Sequence, residues 1–492
     1  MLLRNARLGD RAVDIRIEGG RTAEIGRRDD DRLIGDRSNE DTADLELDLD
    51  GRPVIPGLWD EHVHFSQWAM SLRRVDVQHA DSPEAAAAIV ADAVAANPPA
   101  PGSVVVGTGF RPGLWSRQPT FAVLDAIVGV VAANVPVVLI SGDVHSVWLN
   151  SAALSVHGFA GHPTGVLVED DCWAVLKALD DVPADVLDAW LTDAASAAAA
   201  RGIVGITDLE FSLNLDHWQR RMAAGFDTLR VDAGFYTEHL DEVIGRGLKS
   251  GQRLNDLLTV GPYKIISDGS LNTRTAFCVD PYPGLTEHPH GMLNVPSDEL
   301  RQLMSRATDA GLRMAVHAIG DEANRLALDA FEAIGCGGRI EHAQLLRAED
   351  LARFAALGVE ASVQPEHAMD DRDVADHYWA GRTDRAFVLR SLIDAGARVR
   401  LGSDAPVAPL DPWVSIAAAV GRTRDGREPW HAEQAITVDQ AIEASVRSAV
   451  AVGEVADLVV LDADPHTVSA TELRSMPVAA TVLAGRFTFN TL

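Results

Sequence analysis

Lysine is almost missing from this chain. Lysine and arginine together number 43, yet Lys177, Lys249 and Lys264 are the only lysines. Where a plain positive charge suffices the chain writes arginine, so a lysine inside an apolar strand-like run, Lys264, asks what a guanidinium could not do there. Positive charge as a whole is short: 72 acidic residues leave a net charge of −29, with no basic run or basic helix face to offset it. That excludes the positive surface that nucleic acid or anionic lipid requires. Cysteine is scarce as well. Cys172, Cys278 and Cys336 are odd in number and far apart, which excludes a disulfide framework and a thiolate metal site and suits a reducing cytoplasm. The start, Met1-Leu2-Leu3-Arg4-Asn5-Ala6-Arg7, lacks the apolar core of a signal peptide. The most apolar long stretch, Phe121 to Ile140, is interrupted by Asp125, Asn134 and Pro136 and reads as helix then strand rather than a membrane span. No Gly-x-Gly-x-x-Gly follows a first strand, and no internal repeat is present.

What is present begins with Val54-Ile55-Pro56-Gly57-Leu58-Trp59-Asp60-Glu61-His62-Val63-His64, read as one buried strand ending in two histidines. Alternation along a strand sends His62 and His64 to one face and Glu61 and Val63 to the other. Two imidazoles fixed side by side are half of a divalent-metal site. An isolated His-x-His also suits a strand end with two solvated rings, so the rest of the chain decides.

Residues 1–53 alternate in short strands around Gly19-Gly20 and Asp50-Gly51, with a charged loop over 27–42. From Val54 onward, apolar strand-like runs recur at Val54–His64, Gly202–Glu210, Thr228–Tyr236, Gly261–Gly269, Arg313–Gly320, Arg339–Gln344, Val359–His367 and Arg398–Val407, most of them preceded by amphipathic helical stretches. The count is that of a (β/α)8 TIM barrel, an α/β fold, over residues 54–65 and 184–450. Residues 66–183 exceed a normal βα connection about fivefold and are expected to form an inserted α/β lobe. Because it leaves from the C-terminal end of a barrel strand, it is expected to serve as a lid or specificity lobe over the mouth. The alternating strands near 456–462 and 478–489 are expected to pair with the N-terminal strands, making a flanking β-sandwich from 1–53 and 451–492.

Histidines recur at the ends of the barrel runs: His62 and His64 on the first, His317 on the fifth, His342 on the sixth. Asp404 ends the eighth and Lys264 lies in the fourth. Each alone reads as a satisfied polar group or a helix cap. Together, at the C-terminal ends of parallel strands, all six side chains can gather at one barrel mouth as a metal site.

These segments, with Pro56-Gly57, the Gly142-Asp143-Val144-His145-Ser146-Val147-Trp148-Leu149-Asn150 stretch, Asp268-Gly269-Ser270-Leu271 and Gly402-Ser403-Asp404-Ala405-Pro406, resemble the amidohydrolase superfamily of metal-dependent hydrolases, in its YtcJ-like branch (amidohydrolase family 3). The pattern departs from that branch where Ser445 to Val455 is compressed. The resemblance implies a barrel beside a β-sandwich and hydrolysis of an amide-type C–N bond. It implies one ion on His62, His64 and Asp404, a second on His317 and His342, and a carboxylated Lys264 bridging them. Two zinc ions are expected, and manganese, iron or cobalt also suit imidazole and carboxylate. The lysine has its own physical case: only a neutral amine attacks carbon dioxide, and burial beside cations lowers an amine pKa where guanidinium stays charged. The plainer reading is a buried lysine paired with Asp268.

The mechanism implied is attack of an acidified water on a carbonyl carbon, with Asp404 shuttling the proton to the leaving nitrogen of an N-acyl or N-formyl amine. His145, Trp148 and Asn150 in the lobe, and Arg274 after the fourth strand, are candidates for holding a small-molecule substrate. The rivals are a mononuclear deaminase or cyclic-amide hydrolase with Lys264 unmodified, and a catalytically silent binding module. A homodimer is the assembly to test first.

Overall fold

A computed structural model describes residues 1–27, 45–100, 102–110, 115–141, 146–180 and 182–492; the loop expected over 27–42 lies, from residue 28 on, outside them. Two compact units divide the chain, Met1–Trp68 with Leu191–Leu492, and Ala69–Trp190.

The first unit is built on an eight-stranded sheet in which every pairing is parallel: Leu58–Val63, Ile203–Asp208, Arg230–Phe235, Leu258–Ile266, Met314–Ala318, Gly338–His342, Val359–Val363 and Val399–Leu401, in that spatial order. A bridge from Val63 to Ala405 joins the first strand to the end of the eighth, with Asp404 N donating to His62 O at 2.7 Å and His64 N to Ala405 O at 2.9 Å. The expected barrel is therefore present. Its helices turn apolar stripes inward at helical spacing, as Leu300, Met304 and Ala307 do on Ser297–Asp309.

The run from Val54 to His64, expected as one strand, is two. Val54–Pro56 pairs antiparallel with Leu458–Leu461, and the chain changes sheets at Gly57, where a Cβ would meet Val204 at 2.5 Å. The C-terminal strands also differ from expectation. They form a four-stranded sheet of Arg486–Asn490, Val478–Leu483, Leu458–Leu461 and Val54–Pro56, while Leu2–Leu8, Arg11–Glu18, Arg21–Arg27 and Glu46–Asp48 make a second sheet. The two share a core that includes Leu3, Ile15, Val54, Leu458 and Val482. Arg21 and Val455 form an isolated bridge between them. Face-to-face packing of two apolar sheet surfaces is what alternating sequences achieve when both faces need cover.

The second unit is a mixed five-stranded sheet, Val166–Val168, Ser146–Leu149, Val137–Ser141, Val105–Phe110 and Val75–Asp76. Val137 and Leu139 enter one core, Val138 and Ile140 the other, as strand alternation requires. Helix Pro83–Ala96 starts with Pro83 after Ser82, whose side chain accepts from Ala85 N. Among the described residues no helix is long and apolar enough to cross a membrane.

Candidate metal centre

The first barrel strand carries a register shift against the second: Ile206 faces Asp60 and Asp208 faces Val63, so an extra residue is accommodated between them. This corrects the simple alternation. Glu61, expected to point away, reaches across the barrel to accept from Arg339 at 3.1 Å, while His62, its neighbour, also turns inward. His64 joins His62 as expected: their Nε2 atoms lie 3.2 and 3.4 Å from Asp404 Oδ1.

Asp404 is aimed by the backbone. It holds a left-handed φ of 58°, and His342 holds φ 75°, conformations that non-glycine residues keep only when their surroundings impose them. Buried Asp60 accepts from both His62 N at 3.0 Å and Ser403 N at 2.9 Å, clamping the first strand to the turn that carries Asp404. Gly402 allows that approach, since a Cβ there would meet His62 N at 2.8 Å.

Lys264, on the fourth strand and fully buried, has its Nζ 3.2 Å from His62 Nε2. It is not the partner of Asp268, whose carboxylate instead accepts from Ile319 N, Gly320 N and Phe277 N at 2.9–3.1 Å. His342 is oriented by Gln364 Oε1, 2.8 Å from its Nδ1. The His317 ring lies 4.6 Å from the His342 ring, but its Nε2 faces Gly269 O at 3.3 Å and Asp268 at 3.4 Å. His367 was not singled out from sequence. Its Nε2 lies 3.9 Å from Asp404 Oδ2, and it forms with His342 and Asp404 a second group close enough to hold one cation, the first being His62, His64 and Asp404.

The electrostatics suit a cation. Burial, reinforced by Lys264, brings His62 down to about 4, and burial with the adjacent His317 holds His342 well below the usual imidazole range. Both rings are thus neutral donors at pH 7, and the short contact between His62 and Asp404 is not an ion pair. Burial works against the Asp404 anion, but the surrounding imidazoles, His62 and His64 among them, reverse that and keep it ionised. Burial lowers Lys264 to about 8. Among the described residues, His64 Nδ1 and His367 Nε2 are buried without a hydrogen-bond partner. Neutral imidazoles, an anionic carboxylate and orphaned ring nitrogens are the donor set a divalent cation takes.

The other sequence candidates fare differently. His145 lies outside the described residues. Trp148 is corrected to a packing role: its ring is fully buried in the lobe core, edge-on to Phe110 and Trp115. Asn150 is also occupied, its Oδ1 accepting from Val137 N and Ala153 N and its Nδ2 donating to Val135 O. Arg274 stands over the Tyr378 ring at 5.4 Å and forms no ion pair among the described residues. Sequence reasoning passed over Phe211, which is 49% exposed and stacks on His64 with ring centroids 5.3 Å apart.

The amidohydrolase family profile matches residues 45–489. The chain belongs to the amidohydrolase family. This amidohydrolase is 26% identical to the YtcJ amidohydrolase of Bacillus subtilis (strain 168), with 98% of this chain and 97% of the other covered. It is 27% identical to an N-substituted formamide deformylase of Arthrobacter pascens, over 96% and 94% of the two chains. An uncharacterized metal-dependent hydrolase of Pyrococcus horikoshii OT3 superposes with a TM-score of 0.79 at 25% identity, covering 96% of this chain and 99% of that one. The protein is accordingly an amidohydrolase-family, metal-dependent hydrolase.

Proposed function

We propose that the protein hydrolyses an amide-type C–N bond, other than a peptide bond, in an N-acyl or N-formyl amine. One observation carries this reading: His62, His64 and Asp404, from opposite ends of the barrel sequence, present three ligand atoms within reach of one cation. His62, His64 and Asp404 would hold one ion, and His342 a second with His317 or His367; zinc suits these ligands, as do manganese, iron and cobalt. A divalent cation bound there supplies Lewis acidity and an acidified water, with a pKa near ~7.

The chain's own residues do the rest. Asp404, ionised at neutral pH, accepts the proton of the attacking water and delivers it to the leaving nitrogen, which departs as a neutral amine rather than an amide anion. Lys264, lowered to about 8, offers a fraction of neutral amine. Attack of that nitrogen on carbon dioxide would form an N–C bond and release a proton, and the resulting carbamate would offer an anionic oxygen beside His62 to a bound cation. Phe211, exposed on the outer side of His64, offers an apolar face to the substrate's substituent.

The test is a screen of N-formyl and N-acyl amines with the metal-loaded protein, with Asp404→Asn as the control. Turnover lowered at least about 100-fold in the variant is expected; no turnover of any amide by the loaded parent would overturn the reading. A second reading, one cation on His62, His64 and Asp404 with Lys264 unmodified, as in a deaminase or cyclic-amide hydrolase, is favoured by the Nε2 of His317 facing Asp268. Metal content per chain separates the two.

A further inference from the structure

Beneath the metal centre the barrel interior is ionic rather than the branched aliphatic packing usual for this fold. A cavity of about 410 Å³ opens there among the N-terminal parts of the strands, and five arginines line it: Arg313, Arg339, Arg398, Arg400 and Arg447. In a chain of net charge −29, arginines drawn to one place need a reason.

The two deep arginines have one. Arg447 binds Glu61 and Asp232, and its guanidinium covers the Trp59 ring. Arg339 donates to Glu61 at 3.1 Å and pairs with Glu341 behind the cavity wall. Against these two guanidinium groups stand three carboxylates, Glu61, Asp232 and Glu341.

The three arginines of the rim are not matched. Arg398 and Arg400 share a single carboxylate, Glu360, at 3.3 and 3.7 Å. Arg313 forms no ion pair among the described residues, and no other carboxylate there pairs with Arg398 or Arg400. Three guanidinium groups face one carboxylate at the rim, and with the deep carboxylates counted the five arginines of the cavity still exceed Glu61, Asp232, Glu341 and Glu360 by one positive charge. Guanidinium forks recognise planar or tetrahedral oxyanions through paired N–H bonds, and a phosphate group supplies negative charge where three guanidinium groups have one carboxylate between them. The hydroxyl of Ser250 stands in the same wall, donating to Gly261 O at 2.8 Å.

We propose that this floor cavity is a seat for a phosphate group, free or carried on a small ester, held by Arg313, Arg398 and Arg400. It lies on the opposite face from the C-terminal strand ends that carry the histidines, so it does not depend on the hydrolytic reading. Its natural rival is a purely stabilising role, which is what the N-terminal face of a barrel most often serves.

The test is calorimetric titration of the full-length, metal-loaded protein with inorganic phosphate and, separately, glycerol phosphate, at constant ionic strength in chloride. A saturable one-site heat is expected. Equal affinities identify the free ion as occupant, and tighter binding of glycerol phosphate identifies an ester. The double variant Arg313→Ala with Arg398→Ala removes exposed rim side chains and is expected to melt like the parent without ligand while binding at least tenfold more weakly. Absence of saturable heat from both probes at millimolar concentration overturns the proposal. So does undiminished binding by the double variant.

Discussion

Glu341 Oε2 lies 2.7 Å from His62 Nδ1, and both side chains are buried. The carboxylate accepts the Nδ1 proton, which leaves the Nε2 lone pair aimed into the centre, and Arg339 beside Glu341 keeps it ionised against burial. Such a partner sets both tautomer and ring orientation of a ligating histidine. Glu341→Gln retains an acceptor but loses the charge, so metal affinity is expected to fall about tenfold, and Glu341→Ala nearer 100-fold. Competition against a chelating dye measures this; an alanine variant that binds zinc as tightly as the parent would show that His62 needs no orienting partner.

Lys264 yields a prediction that no ordinary buried lysine shares. With its pKa lowered to about 8 and its Nζ beside His62, it is placed to carry carbon dioxide as a carbamate. Protein loaded with metal in 13C-bicarbonate is expected to show a carbamate carbon resonance that is absent from Lys264→Arg, because guanidinium does not deprotonate in this range. The arginine variant is also expected to lose the second ion. A spectrum identical in parent and variant would leave the lysine as a simple buried cation.

Phe211 is an aromatic ring left half in solvent against a candidate ligand. If it packs on the substrate's substituent, Phe211→Ala removes binding made equally in ground and transition states. KM for an N-formyl amine with an aryl substituent is expected to rise about tenfold or more, since tenfold is the lower end of the roughly 1.5–3 kcal/mol that burying such a ring contributes, while kcat and metal content hold. The same variant acting on a methyl-substituted formamide should show little change, and equal losses on both substrates would assign Phe211 to the support of His64 instead.

The parts of the site legible in sequence are those that strand geometry dictates. His62 and His64 close the first barrel strand and Asp404 lies in the turn just after the eighth, so their places along the chain brought them to one mouth, and scarcity of lysine singled out Lys264. Three features were hidden for physical reasons. The bulge that turns Glu61 inward depends on pairing with Ile203–Asp208, which the local sequence does not encode. His367 falls in a run that reads as strand, but the strand ends at Val363 and Pro365 opens a helix, placing the ring on its first turn. Trp148 and Asn150 look like recognition residues because their types are used that way; their tasks, a core ring and a helix cap, emerge only from packing within the lobe.

The two β-sheets are tied by charge, and the tie should titrate. Arg7, on the N-terminal strand Leu2–Leu8, lies 2.6 Å from Asp464, which follows the C-terminal strand Leu458–Leu461. Burial is the largest single effect on Asp464 and works against its anion, but bonds from His466 and Arg7 together outweigh it and bring the carboxyl from 3.8 down to about 2. A depressed carboxyl contributes stability that is complete above its unfolded pKa and disappears as pH falls through the folded one. His466, raised by Asp439 first and then Asp464, works in the opposite sense, adding stability at low pH that is lost as pH rises through its folded pKa. Both groups are partly exposed, so solvent screening limits the tie to about 1 kcal/mol. The gap in urea midpoint between parent and Asp464→Asn is therefore expected to be widest near about pH 5, to narrow somewhat above neutrality, and to close as pH falls toward about 2. A gap that stays constant from neutrality down to about pH 3 would mean that the carboxylate's charge contributes nothing and that only its shape is needed between the sheets.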